Sequence, residues 1–314
     1  MRPFGGPARC IIMAGVSIGR CLAAEIYLSP QIETSVGYDS NRFQMEAGAG
    51  SAYGVLMPSI DITSFISSTV ELQAALAYQK RGFLREGFSH AEHASGILGL
   101  WHAGACWEGG VSLAAARTRD AAIPEDDLAR GGFSAGLTYN DLAGRRYEFA
   151  GALERVAYDS AEDEDGKSVT GTHWRLRPAV RLPIGPGVFL WGEPVAEGFT
   201  CNDPGREYTG CGISLGLDYS PPAPLRAGVS VDLGVHDYAN PADASLSKTD
   251  ATARSFTLWC AMRTSARAEL FADLQGGTFW SDDTTTNYGR WQGRLGIRLR
   301  HDAEIGPLRR FAGG

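Results

Sequence analysis

Between Asn287 and Arg300 the sequence reads NYGRWQGRLGIRLR and alternates without a break. Arg290, Gln292, Arg294, Gly296, Arg298 and Arg300 share one parity; Trp291, Gly293, Leu295, Ile297 and Leu299 share the other. Successive side chains of a β-strand point to opposite faces, so a two-residue period of this length is a strand. Four arginines are too many for a packed soluble core, while the opposite face is apolar and opens on a tryptophan. A strand with lipid on one side and a wet interior on the other satisfies both faces. An arginine turned to lipid near the bilayer midplane costs about 2–4 kcal/mol, less near the interfaces, so the arginine face looks inward.

The same period recurs from Glu25 onward. Leu28 to Tyr38 opens it, and Val70, Leu72, Ala74, Leu76 and Tyr78 alternate with Glu71, Gln73 and Gln79. Trp174, Leu176, Pro178, Val180 and Leu182 alternate with His173, Arg175, Arg177 and Arg181. Comparable runs lie at 107–115, 133–140, 147–153, 213–219, 227–236, 255–263 and 269–280. Three runs are weak. In the second, about 52–63, Val55 and Met57 blur the pattern; the fourth, about 93–102, is ambiguous in register; the ninth, 188–198, is poorly patterned. In the seventh the parity slips at Val156 and Tyr158, which predicts a bulge at Glu154–Arg155. The reading is an all-β chain, an antiparallel transmembrane β-barrel of about fourteen strands, with twelve or sixteen left open by the weak runs.

The connections alternate in length. Short ones fall at 63–68, 102–105, 140–145, 183–187, 221–225 and 264–267, with longer ones between. Outer-membrane barrels have short periplasmic turns and long external loops, so both termini are expected in the periplasm. Tyr38, Tyr78, Tyr158, Trp174 and Trp280 lie near the long-loop ends, and Trp107, Tyr139, Tyr147 and Tyr219 near the short-turn ends, as two aromatic girdles. A secreted β-sandwich also alternates, but gives no cause for the girdles.

No run of the 314 residues approaches the ~18 uncharged apolar residues of a transmembrane helix. Residues 1–24 read as a secretory signal: Arg2 and Arg9, an apolar CIIMAGVSIG core, and Leu22-Ala23-Ala24 for cleavage, with lipidation of Cys21 as the alternative. Residues 25–301 form the barrel and 302–314 a periplasmic tail. Removing 1–24 takes away three arginines and no acid, moving the net charge from −7 to −10 and arguing against nucleic acid as a partner. Cys201 and Cys211 bracket CNDPGREYTGC, a polar stretch in an exported chain, and are expected to form a disulfide. No cysteine or histidine spacing suits a metal, the acidic loops match no calcium loop, and no cofactor is expected.

The inward charges are the candidate site. Arg175, Arg177 and Arg181 on the eighth strand and Arg290, Arg294 and Arg298 on the fourteenth form a positive wall. Their expected counter-charges are Glu148 and Glu154 on the seventh, Glu269 and Asp273 on the thirteenth, and Glu33 and Asp39 on the first strand after closure. Such charges either create a transverse field that sorts solutes or form a lattice of ion pairs along the wall.

The stretch PQIETSVGYDSNRF, Pro30 to Phe43, resembles the opening of Gram-negative outer-membrane barrels, with a looser echo in FWSDDTTTNYGRW. These include porins linked to exopolysaccharide gene clusters and the fourteen-stranded barrel domain of surface lipoprotein assembly modifiers. The modifiers also carry an N-terminal helical-repeat domain for which this chain has no room, so the porin or exporter resemblance is the better one. It implies an outer-membrane location, contact with outer-membrane lipid, passage of small solutes or of a secreted polysaccharide, and periplasmic or exopolysaccharide-export partners. The alternatives are a structural or adhesive barrel without conductance and an outer-membrane hydrolase using Ser89, His90, Glu92 and His93. The chain is not expected to be an enzyme.

Overall fold

The computed structural model describes residues 25–41, 50–85, 90–121, 127–162, 166–203, 206–222, 224–238, 250–281 and 288–305. The expected signal, 1–24, lies outside them, as does the tail from 306 onward.

Fourteen long strands run in sequence order: β1 (Glu25–Asp39), β2 (Ser51–Phe65), β3 (Val70–Phe83), β4 (Ala91–Ala103), β5 (Trp107–Asp120), β6 (Leu128–Asn140), β7 (Arg146–Glu162), β8 (Ser168–Gly185), β9 (Val188–Cys201), β10 (Tyr208–Tyr219), β11 (Leu225–Tyr238), β12 (Asp250–Arg263), β13 (Ala268–Ser281) and β14 (Tyr288–Arg300). Each pairs antiparallel with its neighbour in sequence, and β14 returns to pair with β1, from Gln31↔Arg300 to Asp39↔Gln292. The sheet is therefore a closed barrel, which leaves no lipid-exposed strand edge.

Closure settles the two faces. Val36 is 67% exposed, Leu295 61%, Leu113 63% and Trp107 52%, all on the outer face, whereas Glu33 and Asp39 inside are 1% and 0% exposed. An apolar surface of this extent, wrapped around a barrel, belongs against lipid rather than water. The girdles follow the pattern. Tyr38 lies 5.2 Å from Trp291 at the long-loop end, and at the short-turn end Tyr139 lies 4.6 Å from Trp107 and stacks on Tyr147 at 6.2 Å.

Three expectations change. Tyr158 does not join the outer girdle: it faces the lumen, 6.4 Å from Phe199. The β6–β7 and β7–β8 ladders run unbroken through Glu154 and Arg155; the irregularity lies further on, between Ala157 and Glu162. What read as a slipped parity is a change of chemistry inside the barrel, where Val156 and Tyr158 keep their face but the lumen turns apolar and aromatic.

The expected tail also begins inside the sheet. β15 (Ala303–Ile305) pairs with Leu28 to Ile26 in the register that β14 already follows. The break at His301–Asp302 lies opposite Ser29 and Pro30. Proline has no N–H to give the ladder, so only the Pro30 carbonyl bonds there, accepting from His301 N at 3.0 Å. The β8–β9 turn is two residues long, and Gly187 takes φ 70° in it; a Cβ there would also lie 2.8 Å from Pro221.

Candidate functional site in the lumen

The closing seam carries one half of the arginine wall. Opposed carboxylates on β1 and β13 sit on both sides of β14, so Arg294 and Arg298 reach left and right, while Arg290, with Gly277 opposite it on β13, reaches only β1. Arg290 donates to Asp39 through Nε at 3.0 Å and Nη2 at 2.5 Å, and Gln292 adds a third bond to Asp39 at 2.8 Å. Arg294 bridges Glu33 at 3.0 Å and Asp273 at 2.6 Å. Arg298 bridges Glu33 at 2.7 Å and Glu269 at 2.7 Å, and Arg226 of β11 also donates to Glu269. The guanidiniums of Arg294 and Arg298 lie 5.2 and 5.1 Å from the centre of the Phe271 ring. Glu33 is thus buried but fully paired, as a buried carboxylate must be. Arg300 stands apart, on Asp302 at 2.7 Å.

The other half, on β8, is built differently. Arg175 donates to Glu197 at 2.8 Å, Arg177 lies 3.6 Å from Glu193, and Arg181 lies 3.5 Å from Asp218 with its guanidinium 4.1 Å above the Phe189 ring. These partners are on β9 and β10, not on β7. The register gives the reason: β7 sets Ala152 opposite Arg175, Ala150 opposite Arg177 and Arg146 opposite Arg181. Glu148 pairs instead with Arg146 on its own strand, and Glu154 lies 3.8 Å from both Arg130 and His173. The β8 arginines remain 43%, 47% and 39% exposed at their side chains.

Glu193, Glu197 and Asp218 were not singled out from the sequence, nor were Arg226 and Asp232. The inner face of β9 runs Trp191, Glu193, Val195, Glu197, Phe199, and the outer face Gly192, Pro194, Ala196, Gly198, so neither face reads as wet or dry. The only usable signal was that β10, with its clean alternation, fixes the parity of β9 through pairing. Glu197 also binds His236 Nε2 at 3.0 Å and stands 3.5 Å from His173. Above it the lumen is aromatic: Tyr208 lies 5.0 Å from the His236 ring, 5.5 Å from Tyr238 and 6.2 Å from Phe199.

Cys201 and Cys211 do not form the expected disulfide; both are free thiols. Cys211 belongs to β10 and pairs with Ala196, five positions along β9 from Cys201. At roughly 3.3 Å per residue that is about 16 Å, far beyond disulfide reach, and an odd offset puts the two thiols on opposite faces of the wall. The histidine set is divided too. His93 faces the lumen and bonds Thr118 at 3.0 Å, whereas Glu92 faces outward, 3.4 Å from Lys80 and 3.8 Å from His90; Ser89 lies outside the described residues. Of the external acids, Asp159 is held by Arg117 at 2.5 Å; Glu125, Asp126, Asp163 to Asp165, Asp282 and Asp283 lie outside the described residues.

No family model matches the sequence, and no curated protein matches it. In structure the chain is similar to outer-membrane barrels. One is the loop L8 deletion mutant of OmpT, an outer membrane protein of Vibrio cholerae, with a TM-score of 0.54 and 10% identity over 89% of this chain and 100% of that one. Another is the anion-selective porin from Comamonas acidovorans, with a TM-score of 0.51 and 10% identity over 88% and 100%. A third is the TodX deltaS2S3 mutant monoaromatic hydrocarbon channel, with a TM-score of 0.50 and 9% identity over 90% and 91%. The likeness is one of fold: the chain is an outer-membrane β-barrel.

Proposed function

We propose that the barrel is a porin-like conduit for hydrophilic solutes and not an enzyme. The observation that carries this reading is the β8 wall, where Arg175, Arg177 and Arg181 keep much of their side chains exposed on the lumen face. A guanidinium left that open inside a barrel stands beside water. Its pairing favours a particular kind of conduit. Arginines and carboxylates join along the wall, strand to neighbouring strand, so the charges largely cancel locally instead of opposing each other across the opening. Fourteen strands also give a lumen wider than the eight-stranded barrels that side chains fill and narrower than sixteen-stranded porins. The cargo in this reading is a small solute or a single extended polysaccharide chain, with periplasmic or exopolysaccharide-export partners at the short-turn end. Single-channel recording in a planar bilayer tests it. Open steps, with ion selectivity moved toward cations by Arg177→Glu, are expected. A barrel that inserts and never conducts would replace this reading with a structural or adhesive one.

A further inference from the structure

Two bays indent the lumen wall on opposite arcs of the ring. The first, about 260 Å³, spans β8 to β12. Its floor is the cross-strand pair Gly212 and Gly234, where the wall is bare backbone. The two glycines differ. A Cβ on Gly212 would meet the Leu233 carbonyl oxygen at 2.7 Å, so packing requires that glycine. A Cβ on Gly234 would meet nothing closer than the Cys211 oxygen at 3.8 Å, an ordinary contact. Packing makes no demand for glycine at 234; a side chain there would only fill the bay.

The rim is made of groups with capacity to spare. Arg177 and Glu193 flank one side at 3.6 Å, a loose pair, and Asp232 flanks the other, accepting from Ser255 at 2.8 Å. A guanidinium has five donors and a carboxylate about four acceptor sites, so both rims can still bind. Arg175, Glu197 and His236 also line the bay, so an anion entering here meets Glu193, Glu197 and Asp232, and a cation meets Arg175 and Arg177. An ion of either sign faces like charges as well as opposite ones. A neutral ligand rich in hydroxyls gains from every rim group, since a hydroxyl both donates to carboxylates and accepts from arginine.

The second bay, about 240 Å³, lies on β3 to β7 and is lined by Ala75, Ala77, Ile97, Ala114 and Ala116 together with the Arg130–Glu154 pair. β4 and β5 are seven strands from β11 and β12, half the ring. The lumen therefore offers a hydroxyl-binding rim on one arc and an alanine-rich surface with one ion pair on the other; half a ring apart, the two cannot hold the same sugar ring, so the seat is the first bay alone.

We propose that the Gly212–Gly234 bay, with Arg177, Glu193 and Asp232, is a seat for one uncharged sugar ring of a solute in transit. The seat rests on the conduit reading and narrows its cargo to neutral saccharides. The test is calorimetric titration of the chain, purified from membranes in detergent, with a linear glucose hexamer. Saturable binding with a roughly millimolar Kd is expected. It should weaken at least tenfold in Gly234→Leu and in the conservative Asp232→Asn. It should not change in Gly54→Leu, whose Cβ faces outward with nothing within 4 Å. Heat-modifiable gel migration checks that each variant is folded. Absent saturable binding, equal binding by all variants, or tighter binding of glucose 6-phosphate or glutamate than of the hexamer would each overturn the seat. A barrel that binds the hexamer yet never conducts would sink the conduit reading and leave the seat standing. A conducting barrel that fails to bind it would sink the seat alone.

Discussion

The seam between β13, β14 and β1 and the wall of β8 to β10 use the same residue types to opposite ends. At the seam Arg294 and Arg298 are held by carboxylates on both flanks, Arg290 is clamped by two bonds to Asp39, and Glu33 and Asp39 are sealed from solvent. On β8 the arginines have carboxylates on one flank and alanines or another arginine on the other, and stay open. The difference is not in the charges but in how fully neighbouring strands answer them. An arginine answered from two strands, or clamped by two bonds to one buried carboxylate as Arg290 is, belongs to the wall; one held loosely from one side is available to whatever the lumen contains.

The largest expected effect breaks this comparison at its strongest point. Glu33→Ala strips a buried acceptor from Arg294 and Arg298 and should cost about 3–5 kcal/mol of stability, read as a lower urea midpoint in lipid or micelles. Glu193→Ala, its counterpart on the open wall, should cost less than about 1 kcal/mol. Equal losses would mean the two lattices do the same work. Charge reversal sharpens the contrast next. Arg294→Glu sets a third carboxylate between Glu33 and Asp273 and should fail to yield heat-modifiable barrel, while Arg177→Glu should fold into the barrel with its ion selectivity moved toward cations.

The thiols give a smaller and cleaner readout. Oxidant should not change the mobility of the unfolded chain through a Cys201–Cys211 bond, and maleimide in denaturant should label both; loss of both labels after oxidation would refute the opposite-face assignment. The smallest effect is at the end of the chain. Asp302 lies outside the spanning strands, and its carboxyl is held below the usual range by the Ser29 hydroxyl and then by Arg300. Folding lowers its proton affinity, so this tether should persist above the ordinary aspartate value of about 3.9 and loosen only as pH falls through the lowered value. Hydrogen exchange at Ala303–Ile305 should accelerate there, and Asp302→Asn should abolish that pH dependence.

Much of the architecture was legible because a barrel in lipid enforces contrast. Leu295 and Arg294 are adjacent and cannot both face the same medium, so β14 declared its faces residue by residue. The seam pairs could be read for the same reason: once the ring closes, β1 has to lie beside β14. The β8 partners could not. Choosing between β7 and β9 needed the parity of β9, and a strand whose outer face is Gly192, Pro194, Ala196 and Gly198 shows no contrast to read. Tyr158 misled in the complementary way. An aromatic near a strand end fits a girdle, and only the register through Val156 shows it turned into an aromatic stretch of lumen. The cysteines misled because the spacing suggested a loop, while the strand resumes at Tyr208 and carries Cys211 past the turn.

The burial of Glu33 bears on how the ring comes together. Its partners Arg294 and Arg298 are 261 and 265 residues away in sequence, the far ends of the chain. Every other pair among the fourteen long strands forms between neighbours; this one, with the short β1–β15 ladder that continues it, must wait until all the rest is in place, the slow kind of contact. Until it forms, Glu33 and Asp39 on one edge and Arg290 on the other stand unmatched, Arg294 and Arg298 hold only their β13 carboxylates, and a partly zipped seam would dehydrate some of these groups before their partners arrive. Half-closure is therefore the least favourable arrangement of the chain. The charges act as a latch: the sheet stays an open curl with hydrated edges or shuts completely, and a chain cut short before β14 is expected to remain an unclosed ribbon rather than a thirteen-stranded barrel.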